Sequence, residues 1–429
     1  MDKDVNTMVR QAISGGEHTL IRLANGTILS GGACGLGWCR MQDLNESLYG
    51  WRKVNGINEN VSKVYASYYH NLAIGAQTGS LYTWGCGTFV DGNNDGVIPS
   101  LGPNLKEDLG GPPAHVAIPG KVLDISGGAY HSIVLNDAGN VYTFGAGQLG
   151  QLGRSLSKSP SAKVDGAGLP IDATPRLVEG LKEEETVESI GASFYNTFVT
   201  CKSGTVYCAG ENQNMQCGKA RNAENSKNLH QMEAINELID ENIKIVKAVG
   251  GYCHNLMLDD KGHVISMGCG DDGNRGDGDG EKYEESGKKR SIFNYVELPC
   301  PAEDIATGAN HSIVLGTDGN CYGFGSNEYG QLGAHNVTQT QGLRNNTIDD
   351  DDDDDDDSNS YIFAPARINL PENAGKVVSI SAGYAHTTIL DENGDVYIFG
   401  QNENGQLGLG KVGLDIPFVF NPTKVVYES

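Results

Sequence analysis

Apolar and polar positions follow a fixed grammar along this chain. In GYAHTTILDENGDVYIFGQNENGQLG, Gly383 to Gly408, a histidine opens an apolar run that ends at Leu390. An Asp-Glu-Asn-Gly turn follows, then a second apolar run from Val396 to Phe399, Phe-Gly and a Gly-Gln-Leu-Gly tail. Two short apolar runs joined by Asn-Gly predict a β-hairpin, because these residues accept the positive φ of tight hairpin turns. One hairpin is marginal in water. Upstream lies another apolar segment, KVVSISAG from Lys376, and before it a Pro-x-x-apolar edge from Pro365 to Ile368. The pattern therefore predicts four short strands per unit, apolar on both faces, which must stack on neighbours.

The neighbours are copies of the same unit. Near-identical stretches begin at Gly127 and Thr307, and fainter ones at Gly15, Tyr68, Gly191 and Gly250. That makes seven, anchored at His18, His70, His131, Asn196, His254, His311 and His386. Anchors stand 52 to 75 residues apart, while the distance from anchor to the aromatic-Gly position is 13 residues in six copies and 14 in the second. A constant core with variable spacers is one structural unit carrying insertions at one place.

Seven such sheets arranged radially predict an all-β fold, a seven-bladed β-propeller of four-stranded blades. Repeat cores fall near 13–40, 65–90, 125–153, 190–218, 249–276, 306–333 and 380–408, with insertions at 91–115, 154–178, 219–245, 271–300 and 334–365. The tail NPTKVVYES carries a Pro-x-x-apolar edge, Pro422 to Val425, with no hairpin after it. The first copy has no such edge before it, so 414–429 is expected to close the ring by joining the N-terminal blade.

Composition narrows the function. The formal charge is −24, and nine negatives form the run Asp349 to Asp357, a self-repelling segment expected to be disordered. An acidic chain repels phosphate backbones, so direct DNA binding is not expected. Ten cysteines include no CxxC pair and no Cys/His group with zinc spacing. Neither metal nor cofactor is expected. The N-terminus lacks the apolar segment of a signal peptide and no apolar run approaches 18 residues, so no membrane span is expected. The thiols are read as free and mostly buried, and the compartment as intracellular, nuclear or cytoplasmic. Six histidines at equivalent repeat positions are spread around a ring, which makes His18, His70, His131 and His311 structural anchors rather than catalytic groups. No nucleophile–base pair stands out, so the chain is read as a non-enzymatic monomer.

The grammar G-x-x-H-[ST]-x-x-L-x-x-x-G-x-[VL]-[YF]-x-[FW]-G-x-x-x-x-G-Q-L-G, at Gly128 to Gly153, Gly308 to Gly333 and Gly383 to Gly408, resembles the regulator-of-chromosome-condensation repeat. The resemblance spans essentially the whole chain. It implies a propeller that binds protein partners, in one class as an exchange factor for the small GTPase Ran, in others as a protein-interaction scaffold without exchange activity. Ran exchange factors carry a Phe-Arg-Asp-Asn-Asn-Gly-Val-Ile insertion after the second repeat. Here Phe89-Val-Asp-Gly-Asn-Asn-Asp-Gly-Val-Ile98 stands in its place, with Val90 for Arg and two residues inserted. The third repeat ends Gly-Gln-Leu-Gly-Arg154 and the fourth lacks its histidine, as is similar in those factors. The resemblance implies that Asp91, Asn93, Asn94 and Asp95 contact the GTPase, with His254 and His386 on the same face.

Two spacers carry their own patterns. In NLHQMEAINELIDENIK from Asn228, apolar residues Leu229, Met232, Ile235 and Leu238/Ile239 recur at helical spacing. CGDDGNRGDGDGEKYEE from Cys269 faintly resembles a calcium loop, although Gly273 and Gly276 fall on regular tail glycines.

Overall fold

The computed structural model describes residues 5–32, 50–85, 112–164, 170–219, 226–231, 243–270, 272–278, 292–333, 361–410 and 416–427. They form seven antiparallel sheets, each built from one repeat, six of four strands and one with a fifth short strand. The inner strand of blade one is Val9–Ser14, and its counterparts are Val61–Ala66, Val122–Gly127, Val187–Ala192, Ile245–Gly250, Ala302–Thr307 and Val377–Ala382. Each inner strand touches the inner strand of the next blade, and Val377–Ala382 touches Val9–Ser14, so the ring closes. The second strand of every blade starts at its anchor residue, from His18–Leu23 to His386–Asp391, and is buried along nearly its whole length. Both faces of these strands are covered because successive apolar residues such as Leu20 and Ile21 pack into separate clusters between adjacent blades.

The closing strand differs from the sequence expectation. Phe418–Lys424 is the outer strand of blade seven, paired with Val396–Gln401 of the same blade. Likewise Tyr361–Ile368, with the Pro365 edge, pairs with Cys321–Ser326 and completes blade six instead of opening blade seven. Blade one supplies its own outer strand, the two residues Arg52–Lys53. The physical reason lies in the chain path. In six sheets the strands run in sequence order outward from the axis, and in blade three Pro170–Leu177 joins the third strand with Lys163–Val164 outside it, so the free edge left by the third strand accepts a segment that follows it. The insertions consequently lie between third and outer strands.

The seam between blades seven and one is closed by side chains and by backbone at the channel. Val9, Ala12 and Ile21 pack with Leu390, Val396, Ile398 and Leu407. Tyr384 N–H donates to Gly15 O at 3.1 Å, Ser14 N–H to Ser381 Oγ at 2.9 Å, and Tyr427 O–H to Thr7 O at 3.0 Å. Thr19 Oγ1 donates to Gln406 O at 2.8 Å and lies 3.0 Å from His386 Nε2. Thr19→Val keeps the shape of this seam and strands both partners. It is expected to cost about 2 kcal/mol, read as a lower urea midpoint with an unchanged slope. Ser312→Ala at the interior seam of blades five and six should cost a similar amount. A seam of blades seven and one that tolerated Thr19→Val freely would contradict closure by these contacts.

Residues 228–231 of the stretch expected to be helical belong instead to the outer strand of blade four, Ser226–Gln231. Leu229 is buried against Leu135, Val141 and Ala209. The rest of that stretch, 232–242, lies outside the described residues.

Candidate functional site: the channel face

The loops that link inner and second strands, Gly-x-x-His in most blades, gather around the axis. Their first glycine has no room for a side chain. A Cβ on Gly308 would stand 2.1 Å from His311 Cε1 and 2.4 Å from Gly383 O, and one on Gly383 would meet Gly15 O at 2.2 Å. Backbone hydrogen bonds then join loop to loop: Phe194 N–H to Gly251 O, Tyr252 N–H to Ala309 O, Ala309 N–H to Tyr384 O. The channel these loops line holds a cavity of about 70 Å³, room for a few waters and too small for a nucleotide or a peptide.

All six anchor histidines are fully buried behind these loops. Each ring reaches the residue that follows the anchor of the next blade. Nε2 of His18 lies 2.6 Å from Asn71 Oδ1, that of His70 2.8 Å from Ser132 Oγ, and that of His131 3.0 Å from Thr197 Oγ1. The same contact joins His254 to Ser312 at 2.9 Å and His311 to Thr387 at 3.0 Å. Thr197 and Thr387 spend their own protons on the carbonyls of Gln151 and Gln331, each at 2.7 Å. Their oxygens therefore accept, and each imidazole is a neutral ring that donates from Nε2. Nδ1 of each ring is buried without a hydrogen-bond partner among the described residues. Burial lowers the pKa to about 3 for His70, His254, His311 and His386, and to about 4 for His18 and His131.

These rings are rivets between blades. His254 and His386, expected on the partner-binding face, stand beneath it and hold the loops Gly251–Cys253 and Gly383–Ala385 in place. Asp91, Asn93, Asn94 and Asp95 lie outside the described residues, as does the Asp349–Asp357 run. The partner of each rivet was readable in the repeat, as the Ser, Thr or Asn after every anchor, although only the ring geometry shows that it serves the preceding blade.

The fourth anchor, Asn196, stays within its own blade. Its Nδ2 donates to Glu211 O at 2.7 Å and its Oδ1 accepts from Ser193 Oγ at 2.8 Å. Blade four and the next blade each carry a disulfide, Cys208–Cys217 and Cys253–Cys269, with Cα atoms 5.5 Å apart. These correct the reading of free thiols, and the compartment argument built on it lapses. Cys217 sits where other repeats place the leucine of Gly-Gln-Leu-Gly, and that register sets it against the third strand. Cys201, Cys300 and Cys321 are free. Among the described residues, no helix is long and apolar enough to cross a membrane.

Two other sequence features resolve as structure. Arg154 is buried, its Nη1 donating to Asp172 Oδ2 at 2.9 Å and its Nη2 to Thr143 O at 3.2 Å. Arg275 replaces the tail leucine of blade five and lies 3.3 Å from Asp277 Oδ2, which also accepts from Asn294 Nδ2 at 2.9 Å. Asp277 is thus committed to its own blade, and Gly273 and Gly276 adopt the positive φ of ordinary tail glycines.

On the outer side of the loops the face is aromatic. Tyr68 of blade two meets Phe194 of blade four at 5.1 Å and Tyr384 of blade seven at 5.2 Å, so three non-adjacent blades roof the channel. Phe194 also touches Tyr252 at 5.3 Å, and Tyr69 stacks on Tyr130 at 5.1 Å. The signal was present in the sequence, since each ring occupies the one or two positions before an anchor. Carboxylates surround this crown. Glu17 lies near Tyr68 and Glu403, and Glu211 near Tyr195. Burial pushes the pKa of Glu17 up, with a further contribution from Glu403, and burial alone pushes up that of Glu211.

Comparison with known proteins agrees with this geometry. The regulator of chromosome condensation (RCC1) repeat matches residues 138–199, 318–390 and 393–429, and a second model of the repeat matches 122–151, 302–331 and 377–406. A bifunctional serine/threonine-protein kinase/NEDD4-like E3 ubiquitin-protein ligase of Dictyostelium discoideum is 27% identical over 72% of this chain, which spans 17% of that protein. The regulator of chromosome condensation of Homo sapiens is 26% identical over 72% of this chain and 67% of its own length. The guanine nucleotide exchange factor SRM1 of Saccharomyces cerevisiae is 24% identical over 82% of this chain and 72% of its own. The crystal structure of Prp20p from Saccharomyces cerevisiae, described with its binding to Gsp1p and histones, superposes with a TM-score of 0.71 over 99% of this chain and 89% of that one, at 17% identity, a likeness of fold. The chain is thus a seven-bladed propeller that carries regulator of chromosome condensation repeats.

Proposed function

We propose that this propeller is a protein-binding module that acts as a guanine-nucleotide exchange factor for a Ran-type small GTPase. The observation that carries the reading is the likeness over 82% of the chain to a relative named as a guanine nucleotide exchange factor. The Phe89–Ile98 insertion, in the place where the resemblance puts a GTPase contact, agrees with it.

The mechanism is linkage. A surface that binds the nucleotide-free GTPase more tightly than the loaded one weakens nucleotide affinity by the same factor. Asp91, Asn93, Asn94 and Asp95 are the proposed contacts. His254 and His386 contribute by fixing the loops above them, since neither ring reaches the surface. No residue of this chain acts as acid, base or nucleophile in such a step, and sealed, neutral imidazoles suit that. An acidic protein also speeds encounter with a basic GTPase surface.

The test is release of a fluorescent GDP analogue from Ran. Substoichiometric protein is expected to accelerate release by orders of magnitude, and deletion of residues 89–98 to remove most of that gain with the thermal melt unchanged. Unaltered release, with no complex on nucleotide-free Ran, would overturn the reading. The second reading, a scaffold propeller without exchange activity, draws on the Dictyostelium relative, in which the matched propeller is 17% of a protein named for kinase and ligase activities.

A further inference from the structure

The aromatic crown joins blades by ring contact above the channel, yet it keeps aromatic surface open to solvent. Two of its rings stand well out, Tyr252 at 50% exposure and Tyr384 at 38%. Tyr384 and Tyr252 both lean on Phe194, so the exposed faces belong to one continuous patch. The patch is bordered by carboxylates of three blades: Glu17 of blade one, Glu211 of blade four and Glu403 of blade seven.

We propose that this crown is a docking surface for an arginine-bearing segment of a protein partner, with guanidinium groups laid on the faces of Tyr252 and Tyr384 and paired with Glu17 and Glu403. Three observations select that occupant. Tyrosine faces attract cations, and guanidinium stacks on them better than ammonium does. The carboxylates at the border add charge of the sign an arginine needs. A second copy of this chain is disfavoured, because two bodies of charge −24 repel. The cavity below, about 70 Å³, keeps the segment on the face rather than threaded through the channel. A cation paired with Glu17 favours its ionised form against the burial and the Glu403 charge that raise its pKa, so docking should release protons as Glu17 ionises. The proposal stands apart from nucleotide exchange, since it needs neither a GTPase nor the 91–98 insertion.

The experiment is fluorescence anisotropy of the full chain with a labelled peptide of alternating arginine and glycine, beside the same peptide with citrulline for arginine. The Arg peptide is expected to bind and the citrulline peptide not. Tyr252→Ala with Tyr384→Ala should weaken binding about tenfold or more, and Glu17→Gln with Glu403→Gln by a similar factor. Thermal melts of both variants should match the parent, because the altered side chains stand outside the blades. Deletion of the Asp349–Asp357 run tests the competing acidic site. Binding lost on that deletion and indifferent to the tyrosine variants would overturn the proposal, as would no binding at all. A dimer in sedimentation that dissolves in the tyrosine variant would overturn it in favour of self-association.

Discussion

Lowering the pH from 7.5 to 5 is expected to unfold this protein. Six buried histidines have folded pKa values of about 3 to 4, against an ordinary value of 6.5. The unfolded chain therefore binds protons below pH 6.5 that the folded chain refuses. Stability is at its full value above pH 6.5 and falls with pH until the folded pKa is reached. Each ring loses about 2 kcal/mol by pH 5, so six lose about 12, comparable with the about 5–15 kcal/mol that holds an ordinary domain. Glu17 and Glu211, with raised folded pKa values, act in the opposite sense as pH falls, but they are two groups and only part-buried. Far-ultraviolet circular dichroism should show a transition centred near pH 5, with uptake of about six protons. His311→Asn, which copies the anchor of blade four, should reduce that uptake by about one. A fold intact at pH 4 would contradict the account.

The second large effect is steric. Gly308→Ala is expected to destabilise the protein by about 3 kcal/mol. Its Cβ would press at 2.1 Å on the buried ring of His311 and at 2.4 Å on the carbonyl of Gly383, both fixed by the contact between blades six and seven. Gly139→Ala is the control. Its φ of +80° makes alanine strained, but nothing lies within 4 Å, so it should cost about 1 kcal/mol. Equal effects at the two positions, in urea unfolding, would mean that blade contacts at the channel are loose.

The propeller was legible because each repeat writes its hairpin twice over, in apolar runs and in turn glycines, and seven copies leave little doubt about closure. The phase of the outer strand was not. A Pro-x-x-apolar edge such as Pro365–Ile368 stands between two hairpins in sequence, and nothing in its residues says which one it joins. Pairing outward from the axis decides it. Leu229 illustrates another limit, since its neighbours at helical spacing carry a pattern that a six-residue strand overrides locally. Cys208–Cys217 depends on the tail of its repeat folding back on the third strand, and Cys253–Cys269 ties the channel loop to the end of the third strand, contacts that the 9- and 16-residue separations do not announce. The aromatic crown was written plainly before five of the seven anchors. What no single repeat shows is that Tyr68 and Phe194, from blades two and four, meet over the axis.

The central claim is that the histidines lock a rigid ring, and the ¹⁵N and ¹H shifts of the six imidazoles across pH 8 to 5.5 test it most directly. The account predicts six rings protonated on Nε2 alone, with shifts that do not move until the protein unfolds. Imidazoles titrating near pH 6.5 in a folded protein would place them in reach of solvent and contradict it.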